Sequence, residues 1–256
     1  MHLDIRGYFM HINRQRLLDI ALSTLRKMST HKADCGRTWA EVRDMDFLEW
    51  LTRLIVLLDP MENCITVGDA SDWDGLDPAK SMLHLAPGLG LPIGNLTSQL
   101  FSNVYLNPFD QYVKRDLLCR HYGRYVDDST MVDPDRYWLL AQVPKIREFM
   151  ADELGLQLHM GKLHVRDVNQ GVEFLGAFVK PYRDYISRHT LERIEHNIKT
   201  IDLRNAKNVC STVNSYFGVL SHSSSYRIRQ RLFNTDDFAS VIEIDADMLK
   251  SKPKAE

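Results

Sequence analysis

Apolar residues recur at helical spacing in several stretches of the chain. Leu17, Leu18, Ala21, Leu22 and Leu25 share one face of a helix predicted from Asn13, a cap residue, to about Met28. Phe47, Leu48, Leu51, Leu54, Ile55 and Leu58 form a second stripe, stopped by Pro60. Leu100, Phe101, Val104, Tyr105, Phe109, Tyr112 and Val113 give a third helix after the glycine- and proline-punctuated turn at 88–94, and residues 135–154 give a fourth. Period-two patterns mark strands instead. His2 to Met10 reads as a strand, and HYGRYVDDSTMV reads as strand, tight turn and strand, with Asp127 and Asp128 at the turn. LQLH, VEFLGAFV and DYISR are short strands, and residues 189–240 are helical. Residues 29–44 and 59–77 read as loops, SKPKAE as a frayed end, and no internal repeat is visible.

Composition narrows the classes. A chain of 256 residues makes one large or two small domains. With 44% hydrophobic and 26% charged residues it is neither a disordered chain nor a collagen or disulfide scaffold. The net charge of −2 excludes a globally basic nucleic-acid binder. From Arg188 to Arg231, however, eight Lys and Arg face three acidic residues, a balance that suits a phosphate-facing surface and equally suits solvated helix faces. Residues 59–77 carry Asp59, Glu62, Asp69, Asp72, Asp74 and Asp77 without a Lys or Arg. They lack the distant Glu of a calcium loop, so a solvated acidic loop is expected. Cys35, Cys64, Cys119 and Cys210 stand alone, as reduced and mostly buried thiols would. The chain has neither a signal-peptide layout nor an apolar run near the ~18 residues of a membrane span, and a cytoplasmic protein without a membrane partner is expected.

Three carboxylates carry the candidate chemistry. Asp4, Asp127 and Asp128 each end or interrupt a hydrophobic strand, where burial of a charge is costly unless it is compensated. Adjacent aspartates also repel. A divalent cation resolves both costs, and two magnesium ions suit in-line phosphoryl displacement. A lone Asp-Asp pair is more often a solvated turn; the strand-like flanks and the second carboxylate strand at Leu3-Asp4-Ile5 argue against that here.

These stretches resemble, in order, the motifs of reverse transcriptases: LDIRGYF the first catalytic strand, GLPIGNLTSQLFSNVYLN the template- and nucleotide-contacting turn and helix, and YVDD the catalytic hairpin. LGLQLHMGK resembles the later lysine motif, VEFLGAFVKPYR the primer-grip hairpin, and SYFGVLSHSSSYRIR a thumb helix. Ile93-Gly94 and Ser98-Gln99, where most relatives carry Gln-Gly and Ser-Pro, resemble the enzymes of diversity-generating retroelements. Those enzymes copy a template RNA into cDNA with errors opposite adenines, usually beside an accessory pentameric helical protein, in bacteria and their phages. Rival readings are a group II intron-like or phage-defence reverse transcriptase, a truncated non-catalytic RNA- or protein-binding remnant, and, more distantly, a nuclease.

The resemblance implies an α+β fold of the right-hand polymerase kind: an antiparallel palm sheet backed by helices, then a mainly helical thumb. The palm is expected over 1–187, with a residual fingers segment or insert at about 29–87, the thumb over 188–246 and a flexible tail over 247–256. Because Asp4 stands at the very start, the fingers that precede this motif in the family are expected to be missing. Asp4 and Asp127 would bridge two Mg²⁺, and Asp128 would ligate one ion or orient the turn, with template RNA, a primer and dNTPs as partners. Phe9 would be the steric gate against ribonucleotides, although its type alone reads as core. Gly94 would let the backbone approach the nucleotide, and Ile93 would lack the amide contact that sharpens fidelity. Ser98 and Gln99 are template contacts or helix caps. Lys162 would protonate the leaving pyrophosphate. Arg124 would meet nucleic-acid phosphate or an acidic neighbour. Tyr216, Phe217, Arg227, Arg229 and Arg231 would line the duplex minor groove, although alternate helix positions cannot all share one face.

Overall fold

The computed structural model describes residues 1–65, 67–77 and 81–254. Helices and small antiparallel sheets build two compact units, Met1–Val165 and Arg166–Glu256.

The first unit opens with β1 (His2–Leu3), far shorter than the strand expected to reach Met10. Gly7 turns the chain at φ 54°, and α1 (Tyr8–His11) follows at once. Asn13 caps α2 (Arg14–Ser29), its side chain accepting from Arg16 N at 3.0 Å, as the sequence suggested. The expected loop at 29–44 contains α3 (Trp39–Val42), closed by a Thr38–Glu41 capping box. α4 (Met45–Leu57) packs on α2, yet only Val56 on it is fully buried, whereas Phe47, Leu54, Ile55 and Leu58 of the apolar stripe are exposed.

The expected third helix is broken in three. α5 (Leu96–Tyr105) stops at Leu106, Pro108 restarts the chain as α6 (Asn107–Gln111), and a wide π-turn covers Tyr112–Asp116. β2 (His121–Tyr125) and β3 (Asp128–Val132) make the expected hairpin, in a sheet of order β1-β3-β2. α7 (Arg136–Leu154) starts on Asp135, which accepts from the N–H of Tyr137 and Trp138, and ends at Gly155 with φ 65°. LQLH forms single pairings instead of a strand, Leu158 with Ile5, and farther on His164 pairs with His2. Leu17, Leu18, Tyr105, Phe109, Met131 and Ile146 lie almost without exposure in the core, and full burial of an aliphatic or Phe side chain contributes roughly 1.5–3 kcal/mol. This core holds the sheet against the helices.

The second unit begins with an antiparallel sheet of β4 (Val172–Phe174), β5 (Ala177–Lys180) and β6 (Arg183–Ile186). The division therefore falls at Val165–Arg166 and not between 187 and 188. The reason is local. Ser187 N donates to Gly176 O at 3.0 Å, and Ile186 packs on the core that Ile194 shares, so the sheet belongs with the helices after it. Those are α8 (Arg188–Lys199), α9 (Ala206–Ser221), α10 (Tyr226–Phe233) and α11 (Asp236–Val241). Val209, Val213, Phe217 and Leu220 run down one side of α9 and meet Phe233 and Phe238.

The C-terminal stretch corrects the flexible-tail expectation. β7 (Ile242–Ile244) pairs with β8 (Ser251–Pro253), and Met248 between them is buried. Ser251 N donates to Asn214 Oδ1 at 2.7 Å, while Cys210 Sγ lies 3.0 Å from Ser251 O. A backbone whose polar groups find such partners is ordered, whatever its composition. Only Ala255 and Glu256 of this stretch lie outside the described residues. The cysteines also divide differently from expectation: Cys119 and Cys210 are buried, but Cys35 and Cys64, in loops, are exposed.

Candidate active site

The β1–β3 register pairs His2 with Thr130 and Leu3 with Ser129, which brings Asp4 level with Asp128 at the end of the sheet. In the adjoining hairpin Tyr125 pairs with Asp128, leaving Val126 and Asp127 as a two-residue loop. Three carboxylates from opposite ends of a long stretch of sequence thus gather at one end of the sheet. Asp4 and Asp127 line a common cleft of about 910 Å³, together with Arg6, Arg147, His159 and Lys162.

Charge dominates this cleft. Asp4 is buried, and its carboxylate meets Lys162 Nζ at 3.0 Å. The segment bearing Lys162 is held to β1 by hydrogen bonds from His159 N to Asp4 O at 2.8 Å and from Arg6 N to Gln157 O at 2.9 Å. Burial pushes the Asp127 carboxyl above the usual range, and the nearby Asp128 and Asp4 charges push it the same way against the pull of Lys162. The hydrogen bond to Asp4 and the surrounding carboxylates raise Lys162. Asp128 is turned toward His2, whose Nε2 is 3.6 Å from Asp128 Oδ1. Among the described residues no three Asp, Glu, His or Cys side chains are arranged as a ligand set around one point. The donor chemistry at this end of the sheet is nonetheless carboxylate oxygen, which magnesium prefers.

The other residues singled out in the sequence fall in varied settings. Phe9 is half-buried on α1, edge-on to Tyr8 with ring centroids 5.5 Å apart, and packs on the core. Its carbonyl accepts from Leu91 N at 2.9 Å, which ties the 88–94 turn to α1. In that turn Ile93 is 72% exposed and Gly94 takes φ 102°, a backbone that disfavours any side chain. Asn95, not Ser98 or Gln99, is the residue before α5, so the cap alternative for those two falls away. Ser98 is buried and Gln99 is exposed.

The Arg124 side chain is only 8% exposed and forks onto Asp110 of α6, at 2.8 and 2.6 Å. Of its two sequence alternatives, the acidic neighbour is the one made. In the second unit the arginines separate as the helical period demands. Arg229 is buried and donates to Met248 O at 2.8 Å, Arg231 pairs with Glu195 at 2.8 Å, and Arg227 points to solvent. Tyr216 accepts from Asn197 Nδ2 at 3.0 Å and stacks beside Phe233, whereas Phe217, expected to line the duplex, is fully buried in the core of the second unit. Arg229 is therefore a structural residue here, because a buried guanidinium already bonded to a carbonyl is not presented to a phosphate.

The sequence reading passed over Arg6, Arg147 and Asp110. Arg147 sits one residue past the buried Ile146 on α7, and nothing in helical periodicity singles it out. Asp110 reads as an ordinary polar position of α6 until Arg124 is seen against it. No family model and no curated protein matches this chain. No helix among the described residues is long and apolar enough to cross a membrane.

Proposed function

We propose that the chain is an RNA-directed DNA polymerase of the diversity-generating retroelement type, with Asp4, Asp127 and Asp128 at the end of the sheet as its catalytic centre. The observation that carries this reading is the meeting of Asp4 and Asp127 in one cleft, from strands far apart in sequence. A solvated Asp-Asp turn has no reason to recruit a third, buried carboxylate and a lysine. The order of motifs along the chain supports the same reading. In these terms the first unit acts as palm and the helices after β6 as thumb.

The three aspartates would hold Mg²⁺, which supplies charge neutralisation on the transferring phosphate and activates the primer hydroxyl. The chain's own groups have separate tasks. Lys162 stands at the carboxylates as a proton donor for the pyrophosphate leaving group and balances their charge beforehand. Arg6 and Arg147 add positive charge to the cleft. Phe9, packed on the core through α1, is the residue assigned to exclude a 2′-hydroxyl. Arg227, exposed on α10, is free to meet the duplex backbone. Template RNA, a primer, dNTPs and a helical accessory protein are the partners this reading assigns.

Primer extension tests it. The purified chain is given an annealed RNA template, a DNA primer, Mg²⁺ and dNTPs, with Asp127→Ala/Asp128→Ala as control. Extension by the wild type alone, with errors clustered at template adenines, is the expected result. Equal absence of product from both proteins, with retained RNA binding, would replace the polymerase with a binding protein.

A further inference from the structure

Val126 is a β-branched residue at φ 55° in the two-residue loop that presents Asp127. Primed hairpin turns ordinarily place Gly at such a position, because a side chain there is strained. The strain persists only if the surroundings impose it. One group does so. Arg124 Nη1 donates to Val126 O at 2.7 Å, the carbonyl of the peptide that leads into Asp127. The same nitrogen donates to Asn103 Oδ1 on α5 at 3.1 Å. The rest of the guanidinium is locked by the fork onto Asp110, whose Oδ1 also accepts from Tyr122 OH at 2.7 Å. α6 itself is fixed by Phe109, which is fully buried and edge-on to Tyr122. A rigid path therefore runs from the core through Asp110 and Arg124 to a single peptide plane.

We propose that Arg124 is a positioning residue: it clamps the Val126–Asp127 peptide in its strained form and thereby aims the Asp127 carboxylate into the cleft. The planar fork is what the task needs, since one guanidinium must satisfy Asp110 twice and still reach a carbonyl. Lysine keeps the charge and cannot make all these bonds. The role in turnover rests on the polymerase reading; the clamp itself does not.

The test uses the full chain, comparing wild type with Arg124→Lys, Val126→Gly and the double variant. Amide exchange followed by mass spectrometry reads the loop directly. Arg124→Lys is expected to speed exchange in the peptide spanning 122–130 while the second unit is unchanged, and unchanged exchange there overturns the clamp. Steady-state primer extension reads the aim of Asp127. With Arg124→Lys, kcat is expected to fall on the order of 10- to 100-fold with KM for dNTP nearly constant, since small misplacements of a reacting group act on the chemical step. Val126→Gly relieves the strain, so the double variant should recover part of that loss. Faster exchange with unaltered kcat, or no recovery in the double variant, overturns the positioning role. If wild type and Asp127→Ala/Asp128→Ala both fail to extend, it is the polymerase reading that fails, and exchange alone then decides the clamp.

Discussion

Lys162 reaches the buried carboxylate of Asp4 at 3.0 Å while most of its own side chain stays in solvent. The pair joins the first strand to the segment after α7, and the backbone bonds from His159 to Asp4 and from Arg6 to Gln157 fix its register. Asp127 and Asp128 lie close enough for their charges to act on Lys162 as well. The ammonium thus occupies the electrostatic position that a bound cation would take over.

Lys162→Met removes that internal counter-charge. On the polymerase reading, Mg²⁺ or Mn²⁺ should then bind more tightly in a calorimetric titration, because an ion would no longer compete with an ammonium for Asp4. Extension should slow by about 10²-fold or more if the lysine also serves as acid. Metal affinity equal to that of the wild type would argue that Lys162 does not screen the carboxylates.

Asp127 gives a pH signature. Its folded-state pKa is raised, chiefly by burial, so the folded chain binds this proton more tightly than the unfolded chain does. Stability is therefore lost as pH rises from the ordinary carboxylate value through the raised one, and it stays lower above that. Asp127→Asn removes the penalty. Its melting temperature should exceed that of the wild type at neutral pH, by about 2–4 °C for each ~1 kcal/mol. The gap should close as pH is lowered toward about 4. A gap that is constant with pH would assign the difference to packing.

Arg14 tests the joint between α2 and the end of α4. It is buried, donates to Leu58 O at 2.7 Å and approaches Asp59 at 3.5 Å. Arg14→Met should cost about 1–3 kcal/mol in urea unfolding, because the half-buried joint loses the hydrogen bond of a buried guanidinium to Leu58 O. A loss below ~0.5 kcal/mol would mean that water replaces the guanidinium.

The C-terminal strand should protect a thiol. Cys210 lies under Ser251, with Asn214 bonded to the same backbone. Ellman titration of the native chain should show Cys35 and Cys64 reacting fast, with Cys119 and Cys210 slow. Deleting residues 250–256 should move Cys210 into the fast class. Continued protection would mean that β8 is dispensable.

The 88–94 turn offers a fidelity test. Ile93 is exposed beside Gly94 and brings no hydrogen-bonding group to that surface. If the polymerase reading holds, Ile93→Gln should lower the misincorporation rate at template adenines, read by product sequencing. An unchanged error spectrum would separate this residue from fidelity.

Local rules of the sequence were enough for much of this molecule. Asn13 before an apolar period dictates where α2 starts, and two strand-like runs around Asp127 and Asp128 dictate a hairpin. These follow from nearest-neighbour physics, a cap oxygen or a two-residue turn, and need no distant partner. The three candidate aspartates stood out for the same reason, as charges in strand-like surroundings. Tertiary structure decided which residues share a place. Periodicity gave α4 an inward stripe, but among the described elements α2 is its main packing partner, and Phe47, Leu54, Ile55 and Leu58 of that stripe stay exposed. Composition made the C-terminal residues a loose tail, whereas Asn214 and Cys210 give them a strand's partners. Arg229 reads as a cation for nucleic acid and Arg124 as one for phosphate or an acidic neighbour, and packing commits both to the protein's own oxygens. A residue's type fixes which bonds it is able to make, but the acceptors within its reach are fixed by the packing of distant segments.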